Sequence, residues 1–415
     1  MMVFKKMVSI VIACSVLLSG CATGTGGSPH TKVGPQPSSA YDKTAVKEEV
    51  APAIEKPKLD IIVPVFDPGL PDDPEDYEAE GVWPELRRAE ASRFAYQMKL
   101  ALEETGAFGA VRVMPDSSAT GDLYVVGKIN KSNGVDIDID INVSDISGKK
   151  WFDKSFDHEV AADFYNNIRN KGKDPYAPVF KEAAEKLVEA LNDHKDKQLT
   201  DLQALTDLRF GANFSDDAFS RYMRVKGNKF TLLGYPDAND SMLRRVKAIR
   251  VRDQLFIDRM QPHYEQFNQK METSYALWQK QSFEEVKAAH KAKMESISNA
   301  AAGIGLIALA VLSAVAGGNS NSTGGVVAGT TGAIVAGQVG MGMLGSSVKM
   351  NEESKFHRDA LIELGQSIEG EMAPQVVEHE QTTAKLTGSA KQQFSQWRAF
   401  LKRMFEQEAT PDVQL

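Results

Sequence analysis

The sequence lacks most of the groups that carry enzymatic chemistry. Its 415 residues hold two cysteines, Cys14 and Cys21, both at the amino-terminal edge. The body of the chain therefore has no disulfide framework, thiolate zinc cluster or catalytic thiol. The seven histidines (His30, His158, His194, His263, His290, His357 and His379) are scattered, with no HExxH pair. No GxSxG elbow and no GxxxxGK[ST] phosphate loop occurs. Basic surplus is missing as well: 48 Lys and Arg face 56 Asp and Glu, a net charge of −8, which argues against a nucleic-acid partner. These absences favour a non-enzymatic chain that needs no cofactor and no metal.

What is present begins with an export-like leader. Lys5 and Lys6 precede an apolar run from Met7 to Leu18, too short for a permanent span. The run closes in Leu18-Ser19-Gly20-Cys21. This resembles the lipobox of bacterial lipoproteins. The resemblance implies removal of residues 1–20 and acylation of Cys21. With Ala22 where an inner-membrane retention signal would show Asp, it also implies the periplasmic face of an outer membrane. Each buried acyl methylene contributes about 0.8 kcal/mol, so several chains hold firmly. Residues 21–57 are rich in Gly, Ser, Thr, Pro and charge and are expected to be a flexible tether.

Residues 58–195 are expected to form an α+β domain with a small mixed or antiparallel sheet and two helices. Leu59–Phe66 is an apolar strand run closed by Asp67-Pro68-Gly69. Leu86, Phe94, Met98 and Leu102 have helical spacing. Strands follow at 110–114, 122–129, 135–143 and 149–159, then a helix at 178–191. In the third of these, Val135, Ile137, Ile139, Ile141 and Val143 alternate with Asp136, Asp138, Asp140 and Asn142. The order β-α-β-β-β-β-α, with Val125-Val126-Gly127-Lys128-Ile129 as one strand, resembles the TolB amino-terminal and CsgG-like periplasmic domains. That resemblance implies a scaffold, not a reaction. The three aspartates and the acidic loop 72–80 are cation candidates, and a solvated face is the preferred reading of both.

Residues 196–240 read as a connecting collar dense in aromatics. Two long helical arms are expected at 241–298 and 349–415, paired antiparallel, with Pro262 and Pro374 at matching heights. Between them lies an apolar hairpin, 299–348, with no charged residue between Glu295 and Lys349 and a polar tip at Asn319–Thr323. Gly325, Gly329, Ala333 and Gly337 fall four apart, and Ala310 and Ala314 offer a matching ridge, so that helix backbones can approach closely. Each half has about the 20 residues needed to cross a hydrocarbon core.

The expected function is that of an outer-membrane lipoprotein, a scaffold or assembly factor for a secretion or surface-polymer machine. Its partners would be membrane lipid, envelope proteins and further copies of itself. The alternatives for the apolar hairpin are the core of an oligomeric pore and a buried hairpin in a water-soluble protein.

Overall fold

The computed structural model describes residues 56–79, 82–302, 352–367, 372–379 and 382–407. The chain divides into two units between Glu55 and Lys56, and all described residues belong to the second. Its first element is the expected apolar strand, β1 (Ile61–Pro64), buried along its whole length. A single helical turn, α1 (Asp76–Ala79), precedes α2 (Pro84–Glu104), which opens with proline at a position where a missing N–H costs nothing. Then come β2 (Val111–Met114), β3 (Leu123–Ser132), β4 (Asp136–Asp145), β5 (Lys150–Glu159) and α3 (Ala177–Asn192).

The sheet order is β2-β1-β3-β4-β5. β1 is parallel to both neighbours, with Ile61 opposite Val111 and Leu123. The last three strands form an antiparallel meander. The alternation read in β4 appears directly: Ile137, Ile139, Ile141 and Val143 are buried, and the aspartates between them are half-buried. α2 and α3 touch edge to face through Phe94 and Phe180, 5.3 Å apart. The α+β class and element order thus match the sequence pattern.

The 196–240 segment contributes α4 (Asp196–Ala212), α5 (Asp216–Phe219) and a hairpin of β6 (Met223–Lys226) and β7 (Lys229–Leu232). Phe230 N donates to Ser147 O at 2.9 Å, and the Arg209 guanidinium lies 3.8 Å over the Phe230 ring. Phe210 and Phe219 are fully buried, so the aromatics pack as core.

α6 (Ser241–Ala302) runs for 62 residues with Pro262 inside it. Asp240 caps its start, accepting from Leu243 N at 2.8 Å. The sequence suggested a separate arm, whereas α6 shares the hydrophobic cluster of the sheet domain from Leu243 to Val286. The expected divisions at 195 and 240 do not interrupt that cluster. The reason is the width of the helix's apolar face: Phe256 with Ile257, and Ser274 with Tyr275, are adjacent buried pairs, so the helix packs on two sides.

The returning arm is not one helix. It comprises α7 (Glu352–Ser367), a hairpin of β8 (Gln375–His379) and β9 (Thr382–Leu386), and α8 (Ala390–Gln407). Pro374 precedes β8 instead of kinking a helix. Val376, Val377, Thr382 and Thr383 favour extended backbone, and Pro374 cannot donate to a helical ladder. Val376 and Leu386, which fall within the expected helical arm 349–415, are strand residues. Ser389 and Gln392 then open α8 with a reciprocal capping box: Ser389 N donates to Gln392 Oε1 at 2.9 Å, and Gln392 N to Ser389 Oγ at 3.4 Å. α8 runs antiparallel to the first part of α6, with Trp397 stacked 4.7 Å from Phe256 and Phe405 under Arg245.

Candidate functional site

The polar chemistry that the fold concentrates lies along the seam between α6 and the sheet domain. Its lower part is built on the first strands. Asp60 accepts from Gln254 at 3.2 Å and from Arg112 at 3.4 Å. Arg112 also donates in bidentate fashion to Asp258, at 2.6 and 3.2 Å. One turn further along α6, the Gln261 amide accepts from Val113 N at 2.9 Å and donates to Val113 O at 3.0 Å. A side-chain amide here stands where the peptide of another strand would pair with β2.

The upper part centres on Arg93 and Glu90 of α2. Arg93, only 2% exposed, donates to Asn268 at 3.0 Å and Glu272 at 2.7 Å on α6, and to Asp174 at 2.8 Å. Its guanidinium also lies 4.7 Å from the Tyr275 ring centroid. Glu90 is fully buried. Its Oε1 accepts from Ser132 Oγ at 2.5 Å and from Tyr275 OH at 2.8 Å, and Arg87 Nε lies 3.4 Å from its Oε2. Beside them, Tyr176 OH accepts from Gly134 N at 2.7 Å.

Burial sets the protonation behaviour of this cluster. It pushes the Glu90 carboxyl above the ordinary range, and the Arg87 cation, the two hydroxyl donors and the Arg93 cation only partly offset it. Burial, reinforced by Glu90, also raises the Tyr275 phenol, so it stays protonated and donates. On the opposite flank of α6, Asp253 accepts from Trp397 Nε1 and Arg398 Nη1, each at 3.0 Å, and its carboxyl is likewise raised by burial.

Buried ion pairs contribute little net stability but are costly to break, because a stranded charge has no solvent to repay it. The seam therefore fixes register more than it adds stability. A slip of α6 by one turn would shift Tyr275 by about 5.4 Å and remove one of the two hydroxyl donors of a buried carboxyl. Packing adds to this: Gly134, at φ +87°, sits so close to α6 that an added Cβ would stand 2.5 Å from Ser282 Cβ and 2.9 Å from Phe283 N. What the arrangement can do is hold one helix at a fixed height and rotation.

The sequence-predicted site residues are elsewhere. Cys21, Ala310, Ala314, Gly325, Gly329, Ala333 and Gly337 all lie outside the described residues. Asp136 pairs with Lys131 at 2.8 Å, Asp138 accepts from Asn130 at 3.4 Å, and Asp140 accepts from Ser155. In the acidic loop, Asp72, Asp73, Glu75 and Asp76 are exposed. Among the described residues no group of three or more His, Cys, Asp or Glu side chains is placed to hold a metal ion, and no helix is long and apolar enough to cross a membrane.

Sequence reading missed the seam residues, although a signal existed. In α2 the buried positions Leu86, Phe94, Met98 and Leu102 step by four except for one gap, and Glu90 fills it. In α6 the gap between Ile249 and Phe256 is filled by Asp253. A charged residue on an apolar stripe marks a buried polar contact. Compared with family models, curated proteins and solved structures, the chain matches none.

Proposed function

We propose that the protein is a non-enzymatic outer-membrane lipoprotein that acts as an envelope scaffold or assembly factor. It is anchored by lipid on Cys21 and by the apolar segment 299–348, arranged as a helical hairpin. The body between these attachments is a rigid mount. One observation carries the reading: α6 is continuous from the buried seam into the uncharged run that begins after Glu295. A helix registered by polar contacts from Gln254 to Tyr275, a span of about 20 residues, transmits position to whatever its far end joins. The dilution of that run by Gly, Ala, Ser and Thr suits export, since a Leu-rich span would be retained during translocation.

The test is membrane fractionation of Cys21→Ser chains with and without Ala300–Val348. The reading expects the lipid-free chain to sediment with membranes only when that segment is present. A lipid-free chain that stays in the soluble fraction in both forms overturns it.

A further inference from the structure

The five-stranded sheet closes one margin and leaves the other open. At β2 the Gln261 amide stands in for a further strand. At the far margin lies β5, ten residues long and bonded to β4 alone among the described residues. Its bonding can be assigned residue by residue. Val160 N, just past the strand, donates to Val135 O at 2.8 Å, and this pair continues the register in which Ile137 faces His158 and Ile139 faces Phe156. Antiparallel bonding alternates, so His158, Phe156, Lys154 and Phe152 direct their backbone groups to β4. Asp153, Ser155, Asp157 and Glu159 turn theirs outward, and all four residues are exposed.

The same four share one face of the sheet, because side chains alternate with the same period of two. That face is acidic. On β4, Asp136 lies opposite Glu159, Asp138 opposite Asp157, and Asp140 opposite Ser155. Lysines offset these carboxylates only in part. Lys131 pairs with Asp136 at 2.8 Å, Lys150 pairs with Asp153 at 2.5 Å, and Lys128 stands opposite Asp140.

We infer that the open edge of β5 binds an extended polypeptide segment carrying Lys or Arg at every second residue. Added as a sixth strand, the segment would exchange backbone bonds with Asp153, Ser155 and Asp157. The residues making those bonds set their side chains on the acidic face, directly opposite the carboxylates. The intervening side chains fall on the other face, beside half-buried Phe152 and buried Phe156. A second copy of the chain fits poorly. Antiparallel pairing centred on Asp153, Lys154 or Ser155, the registers of longest overlap, sets Asp153 opposite or diagonal to a carboxylate of the other copy, and like charges there repel. The inference goes beyond the anchors proposed above and does not depend on them.

The probe is a dye-labelled peptide, Lys-Val-Lys-Thr-Lys-Val-Lys, and its capture by the full chain in nonionic detergent is followed by fluorescence anisotropy. Edge pairing predicts binding about tenfold tighter than that of Lys-Lys-Val-Thr-Val-Lys-Lys, which keeps the composition and loses the alternation. N-methylation of the lysine amides should abolish capture, whereas methylation at Val and Thr, whose N–H groups then face solvent, should spare it. On the protein, Ser155→Pro removes an outward N–H without taking a bond from β4, and Asp153→Asn/Asp157→Asn removes charge alone; each should weaken capture about tenfold. If Ser155→Pro does not fold, the methylated peptides and the Asn variant decide. Equal binding of the two peptides, indifference to lysine-amide methylation, or no capture at all overturns the inference. So does a peptide-free dimer that the Asn variant strengthens, which would assign the edge to a second copy.

Discussion

Replacing Glu90 by glutamine isolates a single buried proton. In the native state burial raises the Glu90 carboxyl above its ordinary value of 4.5, whereas in the unfolded chain it titrates normally. Below the unfolded value both states hold the proton, and pH has no effect through this group. Between the two values the folded protein keeps a proton that the unfolded chain has released, so stability falls as pH rises, by up to about 1.4 kcal/mol per pH unit. Above the native value both are ionised and the native state bears the full burial cost. The Glu90→Gln side chain would retain an oxygen to accept from Ser132 and Tyr275 but has no proton to lose. The difference in unfolding free energy, wild type minus Glu90→Gln, should therefore decline as pH is raised from about 4.5, then level off. Urea unfolding followed by circular dichroism at half-unit pH steps measures it, and subtraction removes every other titrating group. Parallel profiles, or a difference that rises with pH, would show that burial does not dominate this carboxyl.

Other perturbations probe the remaining contacts. Trp397→Ala removes the ring stacked on Phe256 and the donor to Asp253, with an expected loss of about 3–5 kcal/mol in urea unfolding. An effect below about 1 kcal/mol would mean that α8 is not anchored there. Arg93→Ala leaves the largely buried Asp174 without its cation, while half-exposed Glu272 stays solvated, and should cost about 1–3 kcal/mol. Restoring positive charge with Arg93→Lys should recover only part of that, since an ammonium cannot reproduce the fork. Gly365→Ala drives a methyl into Glu85 O and should cost about 1–3 kcal/mol, read as faster amide hydrogen exchange through α7. Unchanged exchange would place α7 away from α2.

Much of the sheet domain is legible in the sequence because its signals are local. The two-residue alternation of β4 and the four-residue step of α2 are consequences of backbone period alone. The returning arm defeats a local reading because Val376 and Leu386 happen to continue a helical spacing from Met372 toward Ala390. Only the β-branched pairs and Pro374 argue otherwise. The seam is hidden for another reason: partners such as Arg93 and Glu272, or Gln261 and Val113, are more than a hundred residues apart, and no local pattern joins them. The gaps at Glu90 and Asp253 indicate that something polar is buried, but not what it meets.

The Gln261 amide on β2 has a consequence for the newly made chain. β2 is complete by Met114, while the residue that closes its outer margin arrives almost 150 positions later. Until then Val113 offers an unpaired N–H and C=O to any extended polypeptide nearby, the usual start of mispairing and aggregation. Truncations ending between β5 and α6 should for that reason clump rather than fold, and their rescue should depend on supplying the long helix.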